Sequence, residues 1–158
     1  MHIEQYLTNR GMWFEMILHR PTFTARATAR AMHASATEVA KGVLIKANGD
    51  YIVAVVPADA QVDLAAIRKV LEAADVSLVH ESELTNHFPD CEEGAVPPFG
   101  SLYGMRTIID ESLTREPEIT FSGNKHREAI RMRYQDLEEI ERPQVATFSR
   151  FREPVEAG

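Results

Sequence analysis

Cysteine is nearly absent. Cys91 stands alone among 158 residues, so no internal disulfide can form, which fits a reducing cytoplasm. No apolar run approaches the ~20 residues needed to span a bilayer, so no membrane partner is expected. The longest, Tyr51 to Ala58, has the length of a strand. Met1-His2-Ile3-Glu4-Gln5 shows neither a basic n-region nor an apolar h-region, so no secretory signal is visible. The six histidines (His2, His19, His33, His80, His87 and His126) form no His-x-x-x-His pair and no Cys/His cluster, so no metal is expected. There is no Gly-x-Ser-x-Gly elbow and no glycine-rich phosphate loop. No nucleotide or other cofactor is therefore implied. Glu92 and Glu93 follow Cys91 and would raise its pKa, which argues against a thiolate nucleophile.

Basic excess is also missing. The net charge is −7, whereas a nucleic-acid binder shows a basic surface somewhere. Two stretches are locally basic. Arg20, Arg26, Arg30, Lys41 and Lys46 face only Glu38 between residues 20 and 46. Lys125, His126, Arg127, Arg131 and Arg133 face only Glu128 between residues 125 and 133. A protein that touches only the end of a nucleic acid needs few phosphate contacts. Most of these arginines read equally well as ordinary solvated faces.

The chain length predicts one domain, residues 1–158, large enough to bury a core without disulfides or metal. Helical spacing is expected over His2–Arg10, with Gly11 as a stop, and a strand over Met12–Leu18. Thr24 would cap an Ala-rich helix through Met32. Ser35-Ala36-Thr37-Glu38 has the capping-box pattern and suggests another helical turn. The clearest signal is Asn48-Gly49 between the strand-like runs Lys41–Ala47 and Tyr51–Val56, a hairpin in which both turn residues tolerate positive φ. Asp63 caps a helix with an apolar stripe of Leu64, Ile67, Val70 and Leu71. A short strand over Val76–His80 and a helix over Glu81–Phe88 follow. Further strands are expected at Arg106–Asp110, Glu118–Phe121 and Ala129–Tyr134, and Asp136 would cap a last helix ending at Pro143. Residues 144–158 read as a weakly structured tail. The fold class is therefore α/β or α+β, with a mixed, largely antiparallel curved sheet and surrounding helices.

Three features invite a chemical reading. The loop Gly94-Ala95-Val96-Pro97-Pro98-Phe99-Gly100 is stiff in the middle and free at its ends. The N–H groups of Val96, Phe99, Gly100 and Ser101 have few local partners and could face a ligand; the loop also reads as a tight structural turn. Lys41 opens a strand on the same side as Val43 and Ile45, so it is either an inward cation or a side chain snorkelling to water. Ser122-Gly123-Asn124-Lys125-His126 forms a late turn in which His126 is either a hydrogen-bonding group or a surface residue.

In that order, a strand-opening lysine, a Gly-x-x-Pro-Pro-Phe-Gly loop and a late Ser-Gly turn resemble the YbaK/ProX-type aminoacyl-tRNA deacylases. That family is related to the editing domain of bacterial prolyl-tRNA synthetase. Asn48-Gly49-Asp50, Ala54-Val55-Val56-Pro57-Ala58 and Val62-Asp63-Leu64 add to the likeness, which runs from about residue 13 to about residue 142. The resemblance implies a fold of that kind. It also implies hydrolysis of the ester of mischarged tRNA in trans, without metal or nucleotide. The partner would be the acceptor end of aminoacyl-tRNA, with prolyl-tRNA synthetase as a further candidate. Lys41 would be the catalytic group, acting through its charge. Gly94, Val96, Pro98, Phe99, Gly100, Ser122, Gly123 and His126 would hold the substrate. A non-catalytic module that binds tRNA or an aminoacyl ligand is the competing expectation. One departure bears on specificity. Met16-Ile17-Leu18-His19 stands where many cysteine-specific relatives have an aromatic residue or tyrosine. A pocket of Ile17, Leu18 and Val96 would suit a smaller side chain such as alanine.

Overall fold

The computed structural model describes residues 2–20, 25–31, 34–35, 37–92 and 95–151. Helix α1 (Ile3–Asn9) buries Ile3 and Leu7 and ends at Arg10, before Gly11 at φ 67°. Strand β1 (Phe14–Leu18) and helix α2 (Ala25–Ala31) follow; the proposed cap Thr24 lies outside the described residues. Ser35 and Glu38 bond reciprocally, with Ser35 N–H reaching Glu38 Oε1 at 3.1 Å and Glu38 N–H reaching Ser35 O at 3.1 Å. That pairing closes a turn, and Thr37 and Glu38 are not helical.

The hairpin forms as expected. Strands β2 (Ala40–Ala47) and β3 (Asp50–Pro57) pair antiparallel, and Asn48 and Gly49 take φ of 48° and 91°. After β4 (Ala60–Val62), the Asp63 carboxylate accepts from Ala66 N–H at 3.2 Å and caps α3 (Leu64–Leu71). Strand β5 (Val76–Leu78) and helix α4 (Glu81–His87) lead to the proline loop, which runs into a 3-10 turn at Gly100–Tyr103. Strand β6 (Arg106–Asp110), a 3-10 turn (Glu111–Arg115), β7 (Glu118–Ser122) and β8 (Glu128–Arg133) come next.

Two expectations fail at the C-terminal end. Helix α5 (Tyr134–Glu141) starts at Tyr134 and has no side-chain cap, so Asp136 lies in its first turn and caps nothing. The tail is also ordered as far as Phe151. Strand β9 (Gln144–Ala146) adds to β6 in parallel, β10 (Ser149–Phe151) pairs with β4, and Phe148 is fully buried. The anchor is Asp110. Its Oδ1 accepts the N–H groups of Phe148 at 2.9 Å and Ser149 at 3.0 Å, and its Oδ2 accepts Ser112 N–H and hydroxyl. Burial alone would raise the Asp110 pKa; these hydrogen bonds outweigh it and hold the carboxyl below its ordinary range.

The strands form three sheets rather than one: β1-β8-β7, fully antiparallel; β5-β2-β3-β6-β9, mixed; and the ribbon β10-β4. A parallel bridge between Val39 and Thr120 joins the first two. One face of the five-stranded sheet, with Leu44, Val53, Val55 and Ile109, packs on α1 and on Ile119, Phe121, Ile130 and Met132 of the three-stranded sheet. The other face, with Ile45, Ile52, Ala54 and Ile108, packs on Ile67 of α3 and on Phe148. Among the described residues no helix is long and apolar enough to cross a membrane.

Candidate active site

The candidate site lies where two sheets part. At the bridge, Thr120 N–H reaches Glu38 O at 2.9 Å, so β7 runs beside the start of β2. Further along, β5 covers β2 only from Ile45 to Ala47, and Val79 N–H takes Leu44 O. Between these contacts the outer edge of β2, residues 40–43, carries no strand among the described residues. Bridge partners share a face, and side chains alternate along a strand. Lys41 and Ser122 each stand two residues beyond the bridge, so both project to the face that carries Val39 and Thr120. Ile17 and Ala129 are level with Ser122 across the three-stranded sheet on that same face. Lys41 is half-buried there, beside Val56 and in line with Val43 and Ile45.

The proline loop meets this gap from the opposite face. A methyl group built on Gly42 would lie 2.5 Å from the Val96 carbonyl oxygen and 2.9 Å from Val96 Cγ1. No larger residue fits at position 42 while the loop keeps its place. The loop thus rests on the backbone one residue from Lys41, while the lysine leaves from the other side. Pro97 and Pro98 are buried, and Val96 is half-buried.

Both legs of the loop are tied down. On the leading leg, Glu92 N–H reaches Asn124 O at 2.8 Å. The Asn124 side-chain amide donates to Asp90 O at 3.3 Å and lies 3.5 Å from Cys91 Sγ, while its Oδ1 accepts Ile3 N–H at 3.0 Å. Tyr103 hydroxyl donates to Asp90 Oδ1 at 2.8 Å and stands 3.3 Å from Cys91 Sγ. Burial, together with these neighbours, pushes the Tyr103 phenol far above its usual range. Burial also raises the Cys91 thiol, so it is a poor nucleophile. On the trailing leg, Gly100 N–H donates to Thr107 Oγ1 at 2.9 Å, Ser101 N–H donates to Glu141 Oε1 at 3.2 Å, and Ser101 hydroxyl donates to Glu141 Oε2.

These bonds correct part of the sequence reading. The Gly100 and Ser101 N–H groups are already satisfied and do not face a ligand. Phe99 is fully buried, edge-on to Tyr6 at 6.0 Å and Phe121 at 5.5 Å, and roots the loop in the core. Leu18 is 72% exposed and projects away from the Ile17 face, so it lines no pocket with Val96. Gly123 N–H closes the β7–β8 turn on Glu128 O at 2.8 Å, and His126 is half-buried in that turn. Gly94 lies outside the described residues.

The sequence profile of the aminoacyl-tRNA editing domain matches residues 19–140. This chain belongs to the aminoacyl-tRNA editing-domain family. Among solved structures it is similar to a hypothetical protein (TM-score 0.85, 20% identity), with 94% of this chain and 99% of that one covered. It is also similar to a protein provisionally described as a trans-editing enzyme for prolyl tRNA synthetase (TM-score 0.83, 21% identity), with 94% of each chain covered. A signal transduction protein of Marinobacter aquaeolei VT8, so described provisionally, matches at TM-score 0.72 and 15% identity; 93% of this chain covers 30% of that one. No curated protein matches. At these identities the structures show that the fold is shared. Within the editing domain two contributors were not legible beforehand. In the sequence Asn124 looks like any loop asparagine, and only the fold brings Asp90 and Ile3 to its buried amide. His19 is the second. Its Nδ1 donates to the Arg20 carbonyl at 2.7 Å, and its buried Nε2 has no hydrogen-bond partner among the described residues.

Proposed function

We propose that this editing domain is an aminoacyl-tRNA deacylase acting in trans. Its substrate is tRNA(Pro) carrying a small wrong amino acid such as alanine, released in the cytoplasm by ester hydrolysis that needs no metal. A synthetase pocket built for proline rejects a smaller amino acid poorly, and a second sieve must remove the product. Prolyl-tRNA synthetase is then the enzyme whose errors are cleared.

The observation that carries this reading is the shared face of Lys41 and Ser122 at a gap closed from behind by Val96. Attack on the ester carbonyl creates a tetrahedral oxyanion. The Lys41 ammonium, at the margin of an apolar face, stabilises that charge and orients the ester, with no covalent role. Ser122 and Gly123 line the opposite side of the gap, with His126 in the following turn. Val96 and Pro98 supply the stiff wall that limits the size of the amino acid. Ile17 continues the face in line with Ser122 and favours a small apolar side chain.

The test uses the full chain with tRNA(Pro) charged with alanine, serine, cysteine or proline. Alanine is released fastest from the parent, and Lys41→Ala loses about 100-fold or more in kcat, the size expected for removing one preorganised charge. Equal rates for large and small amino acids reject the specificity. Binding without release identifies a non-catalytic module.

A further inference from the structure

The loop is fastened by residues from three separate parts of the chain, and one side chain joins them. Asn124 is 4% exposed. Its Oδ1 holds the first turn of α1 through Ile3 N–H, its Nδ2 holds Asp90 O and approaches Cys91 Sγ, and its own carbonyl holds Glu92 N–H. Helix α1 then reaches the other end of the same loop, where Tyr6 packs edge-on against Phe99. Helix α1 lies before residue 19, outside the span matched by the family profile. These contacts span the segment whose carbonyl rests on Gly42.

We infer that Asn124 is a positioning residue for deacylation, setting the height of the Val96 carbonyl over Gly42 and so the depth of the gap beside Lys41. This rests on the deacylase reading above. The physical reason is the asymmetry of the fastening. Asn124 bonds the leading leg at Asp90 and Glu92 and grips α1 at Ile3, whereas Tyr103 reaches the leg only at the Asp90 carboxylate and the Cys91 thiol. Removing its side chain deletes the bonds to the Ile3 N–H and the Asp90 carbonyl, and the leg gains freedom that the trailing leg does not share. A misplacement of about 1 Å beside a reacting group is enough to cost rate without cost to binding.

Amide hydrogen exchange and kinetics on Asn124→Ala test this together. Exchange at Ile3 and Glu92 rises about tenfold while Gly100 and Ser101 stay protected, the pattern of local rather than global opening. At a temperature where both proteins are folded, kcat for alanyl-tRNA falls about tenfold with KM little changed, the signature of lost positioning rather than lost binding. If Asn124→Ala does not fold, Asn124→Asp carries the same test. It keeps the acceptor for Ile3 and loses the donor to Asp90, so only the Glu92 side loosens. Uniform exchange along the chain, or a loosened leg with unchanged kcat, overturns the inference. A parent that releases no amino acid rejects the deacylase reading, and the exchange pattern still decides whether Asn124 seats the loop.

Discussion

The two legs of the proline loop are held by different chemistry. The trailing leg hangs on a carboxylate. Glu141 takes Ser101 N–H and hydroxyl and the Thr107 hydroxyl, and Thr107 in turn takes Gly100 N–H. Phe99 adds a fully buried ring beneath it. The leading leg hangs on the Asn124 amide and, through the Asp90 carboxylate, on the Tyr103 phenol and the Cys91 thiol. Both legs carry hydrogen bonds to a carboxylate, so the fully buried ring is what the trailing leg adds. The trailing leg is therefore the fixed pivot and the leading leg the adjustable one, with Gly42 as the rest between them.

The largest break of this asymmetry comes at the pivot. Phe99→Ala removes a ring packed between Tyr6 and Phe121 and costs about 3–5 kcal/mol in urea unfolding. A cost below about 1 kcal/mol would show that the core collapses around the gap and that the pivot lies elsewhere. Next is the rest itself. Gly42→Ala sets a methyl group against the Val96 carbonyl, so the loop must lift, at about 1–3 kcal/mol. Because the loop is lifted beside Lys41, deacylation should fall further than stability does. Parent-like activity would separate the loop from the chemistry. Glu141→Gln is smaller still. It keeps the shape but replaces charged hydrogen bonds by neutral ones, for about 1 kcal/mol. Its exchange signature should appear at Gly100 and Ser101 and spare Glu92.

How far the sequence reveals this follows the range of the interactions. The Asn48-Gly49 hairpin and the Asp63 cap were legible because each is settled within four residues. The order of Lys41, the loop and the Ser-Gly turn was legible as a family pattern, and the fold brings Lys41 and Ser122 to one face. The tail was not legible. Strands β9 and β10 are three residues each, too short for periodicity, and they order because Asp110, 38 residues away from Phe148, takes the backbone of that turn. The satisfied N–H groups of Gly100 and Ser101 were missed for the same reason, since Glu141 is 40 residues from Ser101. Asn124 depends on Ile3 across 121 residues. Local grammar gives turns and caps, whereas the fastenings of a site are long-range.

The leading leg has one further property: a carboxylate whose pKa its neighbours lower. Burial by itself would raise the Asp90 pKa, but the Tyr103 hydroxyl foremost, with the positively charged amino terminus and the Cys91 thiol, holds it below the ordinary range. A depressed folded pKa means stability that is complete above the unfolded value of about 3.9 and is lost as pH falls through the folded value. Acid should therefore loosen the leading leg below about pH 4. Asp110 is depressed as well and loses its share over acidic pH, so the parent's acid unfolding alone does not isolate the leg. The difference between the parent and Asp90→Asn does. In urea unfolding that difference should be small and constant through neutral pH and shrink toward zero on acidification. A difference that persists unchanged at pH values well below the carboxylate range would mean that Asp90 holds the leg through shape rather than charge. The two legs would then differ only in strength.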